Sequence, residues 1–216
     1  MSFSLNEIEA MGKRATRGAG LPWGLAEEAG KAARWLVARG LPGAEQLADI
    51  LTRNDKRDYA ELAPADVDGV WQAPSGCLCP LVAGAAICDR AAALAEGRVI
   101  ELGKTAHPLL LVPYVAGAAK LTDTAISIGW GDVIVTLSPD GESIDGDRES
   151  LTARSTASVH CRRASKVSEV VAPVPSINEM AVPAWDRLAA FAQRTFAPAT
   201  EASRLSGAGA GLSDNN

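Results

Sequence analysis

The chain is poor in the residues on which nucleic-acid recognition depends. Aromatic residues make up only 5% of its 216 residues, which leaves little for stacking against single-stranded bases. Acidic side chains outnumber basic ones by 26 to 21, so the formal net charge is −5. The basic residues form no cluster along the sequence. Because nonspecific binding depends on neutralising phosphates, we expect no nucleic-acid partner.

The sequence also lacks a long apolar run and a secretory leader. Its most apolar segment, residues 108–119, is shorter than the roughly 20 residues that a membrane-spanning helix needs. The N-terminus shows no basic stretch followed by an apolar one, so we expect no signal peptide. The 4 cysteines, without a leader, indicate reduced thiols. These absences predict a cytoplasmic protein with no membrane partner.

The short motifs that identify a reaction are missing as well. The sequence contains no Walker-type phosphate loop, no Gly-x-Ser-x-Gly elbow and no His-Glu-x-x-His stretch. Cys77 and Cys79 are separated by one residue and are followed by no second pair, which is not the spacing of structural zinc sites. The acidic run at 140–149 does not follow the calcium-loop pattern and suits a solvated turn. The sequence therefore predicts no metal site and identifies no cofactor.

What is present is the composition of an ordinary globular protein. Hydrophobic residues make up 47% and charged residues 22% of the chain, which is enough to build a sizeable core. We expect a single domain over residues 1–205, with a helical part at about 1–58 and a mixed part at about 59–205. The polar, glycine-rich tail at 206–216 is expected to be disordered.

The clearest helical pattern lies at residues 21–41. Pro22 suits the first helical position, and Gly40 followed by Pro42 ends the helix. One face carries only small residues around Gly30, which costs about 0.5–1 kcal/mol relative to alanine in a helix interior. This face predicts close packing of another backbone, from this chain or from a second copy. Alternatively, the start of the helix, with Trp23, Glu27 and Glu28, faces a pocket.

The same stretch carries a family resemblance. Its sequence, LPWGLAEEAGKAARWLVARGLPG, resembles the N-terminal signature of a bacterial family known only as a domain of unknown function. The resemblance rests on Trp23 to Ala26, on Glu28 to Gly30 and on Trp35-Leu36, and it covers mainly the first quarter of the chain. It implies a bacterial origin. It brings no activity and no catalytic residues.

Local patterns predict the other elements. Ser4 followed by Glu7 is typical of a capping box and predicts a first helix. Further helices are predicted at 43–53 and 81–96, strands at 98–102, 109–112, 125–128, 133–137 and 151–163, and a last helix that Ser176 or Asn178 caps and that ends at Phe196. The fold class is therefore α+β, with an N-terminal helical part, a central mostly antiparallel sheet and a C-terminal helix packing back.

The candidate site lies on the predicted strand 151–163. Alternation along that strand places Arg154, Ser158, His160 and Arg162 on one face, opposite Cys161. Guanidinium groups match carboxylates and phosphates, so this row suits a small anionic metabolite. His160 would act as the general acid or base. Trp130, on the neighbouring hairpin, and Glu28 complete the predicted binding residues.

Other interpretations remain open at this point. The row also suits the solvated outer face of an edge strand, and the other histidine, His107, suits a surface position where a strand begins. A thiol nucleophile is disfavoured because His160 and Cys161 point to opposite faces. The leading hypothesis is a small-molecule-binding protein, with catalysis left open. The rival is a noncatalytic subunit or homo-oligomeric scaffold, for which the small face around Gly30 would mediate self-association.

Overall fold

A computed structural model of the chain describes residues 3–165 and 182–196. Its helices are α1 (Leu5–Gly18), α2 (Trp23–Val37), α3 (Gly43–Asn54), α4 (Tyr59–Leu62), α5 (Pro80–Asp89), α6 (Ala91–Ala95), α7 (Val112–Thr122), α8 (Arg148–Leu151) and α9 (Val182–Gln193). Its strands are β1 (Ile100–Leu102), β2 (Thr105–Ala106), β3 (Ile126–Trp130), β4 (Val133–Ser138), β5 (Gly141–Asp145), β6 (Ser155–Thr156) and β7 (Val159–Arg163). The protein is α+β, as the sequence predicts.

The first three helices match their sequence signals closely. The predicted capping box is present at α1, since the backbone N–H of Glu7 donates to Ser4 Oγ at 3.2 Å and that of Ser4 donates to Glu7 Oε2 at 2.8 Å. Pro22 is the N-cap of α2 rather than its first residue.

The C-terminal helix α9 packs back against α1 and α3, as expected. Its predicted caps, Ser176 and Asn178, and the tail at 206–216 lie outside the described residues.

The sheet has five strands in the order β1-β7-β3-β4-β5, and every neighbouring pair is antiparallel. The predicted hairpin is β3–β4, with a turn of Gly131 and Asp132. The inner face carries buried apolar side chains such as Ile128 and Val135, which join the helices in one core. A separate two-stranded ladder pairs β2 with β6.

Arg39, just beyond α2, ties the helices to the far edge of the sheet. Its guanidinium lies 3.6 Å from the centroid of the Trp35 ring. It also forms a two-point ion pair with Glu142 of β5, in which Nη2 lies 3.0 Å from Oε2. Both charged side chains are largely buried, so this contact fixes the edge strand against α2. The run at 140–149 is thus partly a strand rather than a solvated turn.

Two predicted strands have a different structure. Residues 109–112 form a 3-10 helix, Pro108–Leu111, and the start of α7. An apolar run does not by itself distinguish a buried strand from a buried helix, and prolines at the beginning of both elements favour the helical choice. The predicted helix 81–96 is also two helices, divided at Arg90.

The predicted strand 151–163 is likewise divided. Its first residues close the short helix α8, whose N-cap, Asp147, accepts hydrogen bonds from the N–H groups of Glu149 and Ser150. The next residues form β6, in the two-stranded ladder, and only Val159–Arg163 join the main sheet as β7. The predicted alternation of side chains between the two faces holds within β7. It does not hold through the end of α8 or through β6.

The small face of α2 packs against α1. A Cβ atom added to Gly30 would lie 2.6 Å from the carbonyl oxygen of Glu9, and one added to Gly12 would lie 3.2 Å from Gly30 Cα. Real Cβ atoms do not approach a backbone oxygen that closely. The prediction that another backbone comes close to Gly30 is confirmed, and that backbone belongs to the same chain.

We therefore expect Gly30→Ala to destabilise the protein. The substitution gains about 0.5–1 kcal/mol of helix propensity, but the new methyl group must push α1 and α2 apart, which costs about 1–3 kcal/mol. Gly24→Ala, in the same helix, is the matched control because a Cβ there meets nothing within 4 Å. Urea unfolding of both variants would measure the difference. A Gly30→Ala protein at least as stable as Gly24→Ala would contradict the packing argument.

Candidate functional site

The structure separates most of the predicted site residues. His160 and Arg162 lie together on the outer face of β7, where Arg162 is exposed. Trp130 is buried on the opposite, inner face, and its Nε1 donates to the carbonyl oxygen of Ser150 at 3.0 Å. The remaining three lie elsewhere, with Arg154 before β6, Ser158 between β6 and β7, and Glu28 on α2. The row predicted on one strand is therefore not one surface.

Gly129 of β3 makes room for the ring of His160. A Cβ on Gly129 would lie 2.6 Å from His160 Nε2. On the other side of β7, Glu101 of β1 is the registered neighbour of His160. His160 is thus half-buried on the outer face of the sheet. Because its neighbour Glu101 is acidic, this is a less favourable place for an anion.

His107 has a different environment from the one its sequence suggested. It directly follows β2 and is only 5% exposed. Its φ is +44° and its ψ is +60°, in the left-handed region. Its backbone N–H donates to the carbonyl oxygen of Arg154 at 3.0 Å, and its own carbonyl oxygen accepts from the N–H of Leu110 at 3.0 Å. The interpretation as a surface histidine at a strand start was wrong.

The backbone strain at His107 is not explained by a helix end. Left-handed residues other than glycine cost about 1–3 kcal/mol, and the proline that follows restricts the histidine further. Lys56 and Asp123, the other such residues in the described part of the chain, are exposed and follow the ends of α3 and α7. That is an ordinary position for a left-handed residue. His107 is instead buried and precedes the 3-10 helix Pro108–Leu111, into which it turns the chain. Its burial together with this strain makes it a functional candidate.

The imidazole of His107 lies close enough to α3 for the charges of Asp49 and Arg53 to affect it. Its Nδ1 is buried and has no hydrogen-bond partner among the residues that the structure describes. Burial lowers the pKa of His107, and the charges of Arg53 and Arg154 lower it further, while Asp49 opposes them. The neutral ring is therefore favoured, with a nitrogen free to accept or donate a hydrogen bond.

The charges around His107 are not balanced. Asp49 is occupied by Arg187 of α9, whose Nη1 lies 2.6 Å from Asp49 Oδ1. Arg53 and Arg154 are exposed, and neither forms an ion pair with a residue in the described ranges. Two guanidinium groups without a carboxylate partner beside a neutral imidazole form an arrangement that suits an anion.

Gln46 adds a second unpartnered polar atom to this region. Its side chain is 5% exposed, and its Nε2 donates to the carbonyl oxygen of Thr152 at 3.3 Å. Its Oε1 is buried without a hydrogen-bond partner within the described residues. We call the five residues His107, Gln46, Asp49, Arg53 and Arg154 the His107 site. A signal for part of it was present in the sequence, because Gln46, Asp49 and Arg53 recur at helical spacing in α3.

Cys88 and Cys161 are poorly suited to act as nucleophiles. Burial raises the pKa of Cys161 to about 12 and that of Cys88 to about 11, so both stay protonated near neutral pH. Across residues 3–165 and 182–196, no group of three or more His, Cys, Asp or Glu side chains is placed to hold a metal ion. Nor does any helix in those ranges have the length and apolar character to cross a membrane.

Comparisons with known proteins identify a similar family but no activity. Residues 3–77 match the family model described as a protein of unknown function (DUF3726). This match includes α2, so the predicted resemblance to a family of unknown function is confirmed. No curated protein matches the chain.

A solved structure gives only a weak likeness. The crystal structure of malate dehydrogenase from Entamoeba histolytica aligns with 63% of this chain at 13% identity and a TM-score of 0.47. The aligned part spans 43% of the malate dehydrogenase chain. A likeness at this level says nothing about activity.

The lowered pKa of His107 has a consequence for stability. Since the folded state favours the neutral ring, the unfolded chain binds more protons below pH 6.5, the ordinary pKa of histidine. The free energy of unfolding should therefore fall as the pH drops from 6.5 through the lower pKa of the folded state. His107→Asn keeps a residue that tolerates the left-handed backbone but removes the titrating ring, so its stability should depend less on pH in this window.

Urea unfolding at a series of pH values would test this expectation. His160→Asn is the control, because it makes the same substitution at the other histidine, on the outer face of β7. Equal slopes in the parent and in His107→Asn would show that His107 titrates alike in the folded and unfolded states.

Proposed function

We propose that the chain binds a small anionic metabolite at the His107 site, where Arg53 and Arg154 hold the anion and His107 exchanges a proton with it. The observation that carries the proposal is the buried, strained His107, whose Nδ1 has no partner in the described residues, beside two arginines that lack carboxylate partners there. The chemistry is that of the leading sequence hypothesis, with Arg154 retained and His107 in the place of His160.

Anion binding and protonation of His107 would be coupled at this site. Burial lowers the pKa of His107 most, and the charges of Arg53 and Arg154 lower it further. A bound carboxylate or phosphate neutralises part of that charge and adds its own attraction for a proton, so the pKa of His107 rises. A histidine that gains a proton when its ligand arrives is suited to act as a general acid towards that ligand.

The contacts around the site favour a preformed geometry. Asp49 is held by Arg187, which joins α3 to α9, and Gln46 is held by the backbone of Thr152. The backbone of His107 is held on both sides by hydrogen bonds. Little ordering of the backbone would therefore be needed when a ligand binds, and the ordering that remains is that of the two exposed arginine side chains.

The other predicted function has lost one of its two supporting observations. A noncatalytic or scaffold role rested on the lack of a catalytic motif and on the small face of α2 as a surface for a second copy. That face is filled by α1 of the same chain, where Gly12 and Gly30 meet. The outer sheet face with His160 and Arg162 remains a rival position for anion binding, and the experiment below distinguishes the two.

The chain has 2 histidines, which makes proton NMR a direct test. The imidazole C2–H signals, assigned with His107→Asn and His160→Asn, would be followed during titration with inorganic phosphate and with malonate. We expect a saturable shift of the His107 signal and a rise in its pKa, with the His160 signal unchanged. A shift of His160 alone would place the anion on the outer sheet face, and no shift of either would refute anion binding.

Substitution of the arginines would test how the anion is held. Arg53→Gln and Arg154→Gln should each weaken binding of the effective anion by about tenfold or more, because a hydrogen bond to a charged group contributes about 1.5–3 kcal/mol. Arg98→Gln, an exposed arginine beyond α6, is the matched control for loss of one positive charge. A loss of affinity as large in Arg98→Gln would indicate only a general electrostatic effect.

A further inference from the structure

A second cavity lies between α2, α5 and α7 and shares no residue with the His107 site. Its volume is about 320 Å³, near the lower end of the range for small-molecule sites. Trp35, Pro113 and Gly117 contribute apolar wall, and Glu28, Lys31 and Lys120 add charged groups. We call it the α2–α7 cavity. An apolar hollow with a few charged groups at its border is the usual form of a ligand site.

Tyr114 lines this cavity and has an unsatisfied hydroxyl group. The side chain is 4% exposed, and its hydroxyl oxygen has no hydrogen-bond partner within the described residues. Its ring packs directly over Gly84, where a Cβ would lie 2.6 Å from Tyr114 Cγ, so the ring cannot easily move. A buried tyrosine hydroxyl normally has a partner. Leaving one without a partner costs about 1–3 kcal/mol.

Of the two lysines at the cavity, one has an ion-pair partner among the described residues and the other has none. Lys31 is paired with Glu28, at 2.9 Å between Nζ and Oε1, and also lies 3.9 Å from Glu27. Lys120, on α7, is exposed and forms no ion pair with any residue that the structure describes. The cavity therefore offers one unpaired ammonium group and an apolar wall with aromatic rings.

We propose that the α2–α7 cavity binds a second ligand, a monocarboxylate with an apolar or aromatic body. Its carboxylate would meet Lys120, and its body would lie against Trp35, Gly117 and Tyr114. One carboxylate suffices because the other lysine is already paired with Glu28. This site is independent of the proposed function at His107.

Gly117 allows the cavity to be filled with little disturbance. A Cβ at this position would contact only Cys88 Sγ, at 4.0 Å, so a larger side chain has room to enter. Gly117→Leu should close the cavity while favouring the helix. Lys120→Gln removes the unpaired charge at an exposed position, where folding should be unaffected.

Calorimetric titration with 4-phenylbutyrate and its uncharged amide would test the proposal. We expect saturable one-to-one binding of the carboxylate and weaker binding of the amide. Lys120→Gln should weaken carboxylate binding by about fivefold, as for a partly exposed ion pair, without affecting the amide. Gly117→Leu should abolish binding of both. Lys104→Gln, at an exposed lysine between β1 and β2, should leave both affinities unchanged.

Tyr114→Phe is a further control at the cavity wall. Because it removes a buried hydroxyl that has no partner in the described residues, the free protein should be at least as stable as the parent. The affinity for 4-phenylbutyrate should not change, because that hydroxyl does not reach the cavity surface. The proposal is overturned if the carboxylate does not bind saturably, or if its affinity is unchanged in both Gly117→Leu and Lys120→Gln. Failure here would leave the phosphate and malonate results at His107 untouched, because the two experiments use different residues and different anions.

Discussion

The close contact between α1 and α2 is the constraint on which the rest of the structure depends. Gly12 and Gly30 allow the two backbones to approach more closely than any side chain would permit. The same device recurs where Gly43 starts α3 against the carbonyl oxygen of Ala33. These contacts fix α3 against α2. They thereby fix the face of α3 that carries Gln46, Asp49 and Arg53.

The candidate site arises where this helical layer meets the small β2–β6 ladder. The ladder aligns Thr105 with Thr156 and Ala106 with Ser155, which brings the N–H of His107 to the carbonyl oxygen of Arg154. The chain must then turn sharply into the buried 3-10 helix. His107 makes that turn by adopting a left-handed conformation, which strains its backbone. The turn from the ladder into the 3-10 helix therefore explains both the position of His107 and its backbone strain.

The sequence was informative where neighbouring residues decide the structure. The capping box at Ser4, the glycines of α2 and the β3–β4 hairpin all depend on contacts within a few residues, or on a backbone position that only glycine fills. The sequence was uninformative where the local structure depends on contacts with residues far away along the chain. The apolar pattern of residues 109–112 is compatible with both a strand and a helix. The strand predicted at 151–163 is divided because β6 pairs with β2, whereas β7 pairs with β1 and β3.

His107 shows the same limit at the level of a single residue. The dipeptide His107-Pro108 predicts an extended or turn conformation, and nothing nearby indicates burial or a positive φ. Both are set by Arg154, 47 positions later, and by α3, more than 50 positions earlier. His160 has the favourable local pattern, but of the residues predicted to share its face only Arg162 does so. Burial keeps the ring of His107 neutral, and the charges of Arg53 and Arg154 add to that effect. An anion held by those arginines would therefore favour uptake of a proton by the ring.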